Sequence, residues 1–254
     1  MRRGAQRIAW AVAWLLAATA APLAAYDFDT HEAMTAAAFR LSSLPSRLAD
    51  FGITVGDRLP EQARFKWERL TPQEWVARGG RDEDWPDVRV LRHFYDPYYD
   101  RPLTLGGQFG DKAPDWALED TREFPDQNHS YRDARASFYL GLTGPDKATR
   151  ERSLGHMFYA LGHVTHLIQD VAQPQHVRND PHLVGTPWAS FLEKYINDLV
   201  EAGLLTPSGN VAPGAILGKI ARVRDLWATG TGATMGRLGM AAFTNANFVW
   251  WCPA

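Results

Sequence analysis

Cysteine is almost absent from this chain of 254 residues, since Cys252 is the only one. A single thiol excludes both an internal disulfide framework and a zinc site built on several cysteines. An excess of one charge is lacking too, because 27 Lys and Arg stand against 29 Asp and Glu. The 45% hydrophobic and 22% charged residues exclude a disordered or collagen-like chain. The length suits one hydrophobic core or at most two.

Long apolar runs are scarce, and the one that stands out is Ile8 to Ala21, which follows three arginines. It is shorter than the roughly 20 residues that a membrane-spanning helix needs. Small residues continue to Ala25, so the pattern predicts a secretory signal peptide over residues 1–25, with an uncleaved anchor as the alternative. The mature domain would cover residues 26–254 and be secreted or periplasmic. Cleavage removes three arginines and no acid, which leaves no general attraction for nucleic acid or anionic lipid.

Helix signals dominate the rest of the chain, and period-2 alternation is nearly missing. Thr71 to Glu74 reads as a capping box with proline at the first helical position, and Gly79-Gly80 is expected to end that helix. Residues 81–128, rich in Asp, Pro, Gly and aromatics, are predicted to form a long functional loop. We therefore predict an all-α, single-domain multi-helix bundle. Its other helices are expected at 31–44, 130–142, 146–172, 187–203 and 215–228.

The strongest chemical signal lies in the central predicted helix. His166 and Asp170 are four residues apart and so share one helix face. Pro174 then turns the chain and brings His176 close. Imidazole and carboxylate ligands without thiolate suit zinc or a comparable divalent ion. The alternative is an ordinary ion pair along the helix.

Two upstream segments could complete a metal site. One is acidic, Asp82-Glu83-Asp84-Trp85-Pro86, and leads to His93. The other is the start of the mature chain, where the α-amino group and carbonyl oxygen of Tyr26 form a chelate only after cleavage, five residues before His31. His156 and His163 share the face of His166 and are either supporting donors or ordinary packing residues.

Together these segments resemble the zinc-dependent phospholipase C and single-strand nuclease superfamily. The family's helix motif, His-x3-Asp followed by Pro-x-His, matches His166, Asp170, Pro174 and His176. Its Asp-x-Asp-x-Pro segment before His-Phe-Tyr-Asp-Pro matches residues 82–86 and 93–97. Its processed aromatic N-terminus matches Tyr26, where the family usually has Trp, with the spacing to His31 of the nuclease branch. The resemblance runs from residue 26 to about 195.

The resemblance implies two to three zinc ions per chain. The first ion would be held by Asp82, His93, His166 and Asp170. The second would be held by Asp170, His31 and the backbone of Tyr26. The third would be held by His176 and Glu193.

Two points of this ligand set are open. The family's third ion also takes a histidine four residues before the glutamate, and this chain has Ala189 there. His182 is expected to fill in; otherwise that ion is weak or absent. Asp82 is also expected to act as the general base, with Asp84 as its alternative at the first ion.

The activity implied by the resemblance is that of a secreted zinc-dependent phosphodiesterase, most of all a phospholipase C-like one. Cations would activate water for in-line attack on phosphorus and neutralise the growing charge. The implied partners are a phospholipid or other phosphodiester and a transient membrane surface. A nuclease is the first alternative, because aromatic side chains could stack on bases, although the acidic balance disfavours nucleic acid. Those aromatics are Trp85, Tyr95, Tyr98 and Tyr99. A secreted zinc-binding protein with a decayed site is the second, favoured by Ala189.

Overall fold

The computed structural model describes residues 27–104, 110–121, 123–180, 191–204, 220–236 and 238–247. These ranges are mostly helical, as the sequence predicted. The predicted signal peptide, residues 1–25, and Tyr26 lie outside them. Among the described helices, none combines the length and apolarity that crossing a membrane requires. The helices in chain order are α1 (Phe28–Leu41), α2 (Leu44–Arg47), α3 (Pro72–Asp82), α4 (Ala113–Leu118), α5 (Tyr131–Thr143), α6 (Lys147–Asp170), α7 (Pro174–Val177), α8 (Phe191–Glu201) and α9 (Met240–Asn247).

One antiparallel hairpin departs from the all-helical expectation. Strand β1 (Leu59–Ala63) pairs with β2 (Lys66–Leu70), from Leu59 opposite Leu70 to Ala63 opposite Lys66. The turn between them holds Arg64 at a φ of 51°. Because both strands carry polar residues on either side, they lack the alternation that marks a strand in sequence.

The last predicted helix is wrong over its described part. Residues 220–222 are not helical, and only a 3-10 turn follows at Val223–Leu226. The Asp225 carboxylate accepts a hydrogen bond from the Arg222 backbone amide at 3.1 Å, which begins a new turn there. Further 3-10 turns cover Leu48–Phe51, Asp87–Arg92 and Gly232–Thr234. The long loop predicted over 81–128 thus contains one of these turns and α4.

Helix α3 starts with the predicted capping box. Thr71 accepts from the Glu74 amide, and the Glu74 side chain accepts in return from the Thr71 amide. The helix does not end at Gly79, however, but continues to Asp82. A Cβ on Gly79 would lie 2.0 Å from the Tyr159 carbonyl oxygen, and one on Gly162 would lie 2.1 Å from that of Val76. Gly79 and Gly162 therefore allow α3 and α6 to cross closely, and Gly79-Gly80 does not end the helix.

Helix α6 is the central element, packed against both α3 and α5. Its first half joins an apolar cluster that includes Trp75 and Phe158. Its second half joins another that includes Trp116 and Leu167. Between the clusters one stripe of α6 stays polar at three- and four-residue spacing. That stripe consists of His156, Tyr159, His163, His166 and Asp170.

Candidate metal centre

Five titratable side chains meet around the end of α6. They come from three parts of the chain: α1, the segment after α3, and α6 itself. All of them are buried. Their nitrogen and oxygen atoms form two overlapping groups in which all ligand atoms lie within 4.8 Å of one another. The first group is His31, His166 and Asp170, and the second is Asp84, His93 and His166.

The atoms are close, yet their orientation does not suit hydrogen bonds. His166 Nε2 lies 3.2 Å from Asp170 Oδ2 and 3.4 Å from Asp84 Oδ1. His93 Nδ1 lies 2.7 Å from Asp170 Oδ2 and 3.3 Å from Asp84 Oδ1. Within the described ranges, these two nitrogens and both carboxylates make no hydrogen bond. Buried polar atoms nearly always have a partner, so lone pairs that converge without one fit a bound metal ion.

Hydrogen bonds on the far side of three imidazoles assign the nitrogen that faces the centre. His31 Nδ1 donates to Gln169 Oε1 at 2.8 Å, and Gln169 in turn donates to Thr35. His166 Nδ1 donates to the Gly80 carbonyl at 2.6 Å. His176 Nδ1 donates to a backbone carbonyl at 3.1 Å. Such bonds fix the tautomer and ring orientation of metal-binding histidines and leave Nε2 as the ligand nitrogen.

Glu83 supports the remaining imidazole, and the sequence assigned it no role. Its Oε1 lies 3.6 Å from His93 Nε2 and accepts from Trp116 Nε1 at 2.8 Å. Its Oε2 accepts from Arg89 at 2.6 Å and from His163 Nδ1 at 2.5 Å. The run of three acids from 82 to 84 contains this residue, but sequence alone cannot tell which partners each of three adjacent carboxylates meets.

In the metal-free centre, ionised carboxylates face a protonated imidazole. Burial alone would raise the pKa of Asp170, but His166 and His93 outweigh it and hold that pKa well below its usual range. Burial likewise opposes a low pKa at Asp84, and His166 again lowers it. For His166, burial lowers the pKa, while the two carboxylates raise it well above the usual value. Burial, then His166, lowers the pKa of His31 to about 4. Without metal, therefore, both carboxylates are ionised and His31 is neutral.

The positions of Asp82 and Asp84 differ from the sequence-based expectation, which placed Asp82 at the first ion and kept Asp84 as the alternative. Asp84 belongs to one of the two ligand groups, whereas Asp82 belongs to neither. The Asp82 carboxylate lies 2.8 Å from Arg64 Nε and accepts a hydrogen bond from the Tyr159 hydroxyl at 3.0 Å. A salt bridge and a hydrogen bond thus hold the Asp82 carboxylate, and Asp84, the alternative ligand, meets the histidines instead. The general-base role of Asp82 stays a prediction.

The ligands expected for a third ion are only partly described. His176 and Glu193 are both buried, and the His176 ring stacks on Phe94 with 4.2 Å between centroids. Neither residue belongs to the two ligand groups of the described ranges. Tyr26, His182 and Ala189 lie outside those ranges, so their roles stay predictions. The Asp27 amide donates to Asn197 on α8 at 3.2 Å, which ties the residue after Tyr26 to the helix that carries Glu193.

Comparison with known proteins adds no relative. Neither the protein-family models, nor the curated proteins, nor the solved structures contain a match to this chain.

Proposed function

We propose that this protein is a secreted zinc-dependent phosphodiesterase of the phospholipase C-like type. The observation that carries the proposal is the buried convergence of three imidazoles and two carboxylates. This thiolate-free donor set is one that zinc prefers. His166 offers one Nε2 lone pair and so binds one ion, whereas the two oxygens of Asp170 face different imidazoles, which supports a centre able to hold a second ion. Adjacent cations suit displacement at phosphorus, because they stabilise both the attacking and the leaving oxygen.

The residues of the chain have defined tasks in this centre. Zinc bound there supplies Lewis acidity toward a phosphoryl oxygen and lowers the pKa of water. Gln169 and the Gly80 carbonyl orient two imidazoles, and Glu83 lies behind a third. Because the ligand side chains are buried, the surrounding low dielectric strengthens their attraction for the cations.

The charge and the exposed aromatics favour a lipid or small phosphodiester as substrate. Nucleic acid is bound largely through Lys and Arg on its phosphates, and this chain has no excess of them. Of the four aromatics considered for stacking, Tyr95 is buried and so offers no exposed face. Trp85, Tyr98 and Tyr99 are exposed and support contact with an apolar surface or substrate.

The proposal is tested by elemental analysis and by assays of turnover. The purified secreted protein would be assayed for zinc, then for hydrolysis of p-nitrophenyl phosphorylcholine, bis-p-nitrophenyl phosphate and single-stranded DNA. We expect bound zinc and hydrolysis of a small phosphodiester that EDTA abolishes and added zinc restores. Faster cleavage of single-stranded DNA would favour the nuclease instead. Zinc without turnover would favour the binding protein, and a chain that binds no zinc would refute the proposal.

A further inference from the structure

A polar cavity lies beside the metal centre, with Glu83 between the two. One Glu83 oxygen approaches His93 of the centre, and the other accepts from His163, which lines the cavity. The cavity measures about 400 Å³, near the lower end of the roughly 300–1,000 Å³ typical of small-molecule sites. The polar stripe of α6 forms one wall, and the end of the hairpin and Trp85 form others.

His163 supplies a buried acceptor to this cavity. Only 3% of the residue is exposed, and its Nδ1 donates to Glu83. Burial is the main cause that lowers the pKa of His163, so the ring is neutral and Nε2 carries the lone pair. In the described part of the chain that nitrogen has no hydrogen bond. A buried acceptor at a cavity wall calls for a ligand or water that donates a hydrogen bond.

The histidines of the cavity are not arranged for a metal ion. His129 lies parallel to His163, with 4.3 Å between ring centroids and 8° between planes. Across the described residues, convergent ligand groups occur only at the metal centre.

The charges on the cavity wall are paired. Arg64 lies 2.8 Å from Asp82, and Arg89 lies 2.6 Å from Glu83. His156 lies 3.5 Å from Glu61. The remaining acid of the wall, Asp126, lies 3.3 Å from Arg92 outside it. Each of these charged side chains therefore has an opposite neighbour, and none offers an unopposed charge to a phosphate or to a quaternary ammonium group. The paired carboxylates and guanidinium groups still have further lone pairs and N–H groups to offer.

We propose that this cavity binds an uncharged polyhydroxylated ligand, a sugar or polyol of about monosaccharide size. A ligand hydroxyl donates to His163 Nε2, and others accept from and donate to the paired side chains. Trp85, 38% exposed, offers an indole face to the C–H side of such a ligand. The inference goes beyond the proposed function, because it requires neither a metal ion nor turnover.

Isothermal titration calorimetry of the full chain tests the proposal. The neutral probes are methyl α-glucoside and myo-inositol, and the charged probes for comparison are inorganic phosphate and choline chloride. We expect saturable binding of a neutral probe and at least tenfold weaker binding of both charged ones. Trp85→Ala should weaken that binding at least tenfold. Trp67→Ala is the matched control, since Trp67 is an exposed tryptophan on β2 outside the cavity and should leave the Kd unchanged. His163→Asn should also weaken binding, provided that its circular dichroism remains native; if it does not fold, Trp85→Ala decides.

The ligand could be a free sugar or the headgroup of a glycolipid. Co-sedimentation with phosphatidylcholine vesicles, with and without a glucosyl lipid, distinguishes the two sources. Binding of a free probe supports the soluble source, and binding only to the glucosyl vesicles supports the lipid source. The proposal is overturned if no neutral probe or glucosyl vesicle binds, if phosphate or choline binds more tightly, or if Trp85→Ala binds like the parent.

Discussion

His31 in α1 and His166 in α6 stack ring on ring, with 3.7 Å between centroids and 22° between planes. Both also face Asp170, with His31 Nε2 3.4 Å from Oδ1 and His166 Nε2 3.2 Å from Oδ2. The stack places the Nε2 atoms of His31 and His166 near different oxygens of the Asp170 carboxylate. A carboxylate approached in this way is placed to bridge two cations, as the motif resemblance implied for Asp170.

The shared ligand provides the first prediction. His166→Ala should lower the zinc content strongly, because each of the two ligand groups loses an imidazole without His166. Zinc at 1,000 times its Kd stabilises a folded protein by about 4 kcal/mol, and this zinc-dependent increase in Tm should disappear. Elemental analysis and thermal melts with and without EDTA measure both effects. His156→Ala, on the same helix stripe but outside the groups, serves as the control. A His166→Ala protein with its full zinc content would show that the centre is assigned wrongly.

The two neighbouring acids give a paired test. Asp84→Asn should lower zinc affinity and turnover strongly, since it removes a charged ligand atom from the centre. Asp82→Asn should keep the zinc content and instead lower the free energy of unfolding by about 1–3 kcal/mol, because it weakens the contacts with Arg64 and Tyr159. Zinc titration and urea denaturation separate these effects. The opposite pattern would restore Asp82 as the ligand.

Glu83 is expected to act through His93. Glu83→Gln keeps the size of the side chain but removes the negative charge behind that imidazole, and loss of such a partner typically weakens metal affinity about 10–100-fold. It also leaves Arg89 buried without its carboxylate, so the free energy of unfolding should fall by about 3–5 kcal/mol. Competition with a zinc chelator measures the affinity of the folded protein. An unchanged affinity would mean that Glu83 is purely structural.

The crossing of α3 and α6 should tolerate no added methyl group. In Gly162→Ala the new Cβ would lie 2.1 Å from the Val76 carbonyl, so the helices must separate. Overpacking of this kind costs about 1–3 kcal/mol. Urea denaturation should show this loss, while Gly56→Ala, where only a side-chain oxygen 4.0 Å away is near, should change stability little. Equal effects of the two variants would contradict the close crossing.

Zinc binding should compete with protons. In the metal-free chain burial lowers the pKa of His93 and His166, but Asp170 outweighs it and raises both above the ordinary value of 6.5. Zinc takes the deprotonated imidazole, so the apparent affinity should increase as pH rises above 6.5, and binding should release protons. Calorimetric titration in two buffers of different ionisation enthalpy counts the protons released. An affinity that stays constant between about pH 6.5 and 8 would contradict this prediction.

Several features of the fold followed from local sequence. The capping box at Thr71 and the start of α5 after Ser130 depend on side chains three residues apart, so the local pattern sufficed. The hairpin was missed because its strands are short and polar. Gly79-Gly80 was misread as a stop because its cause, the backbone of α6, lies far away in the chain.

By itself the sequence determined that His166 and Asp170 share a helix face, because the helical repeat is a local property. It also identified His31, His93 and the acidic segment as candidates, since residue type and order are visible without coordinates. Only the tertiary structure decided that Asp84 rather than Asp82 meets the histidines, and that Glu83 lies behind His93. Adjacent residues can turn toward quite different partners, and which one faces the centre depends on how α1, α3 and α6 pack. That packing is set by long-range contacts that no local pattern encodes.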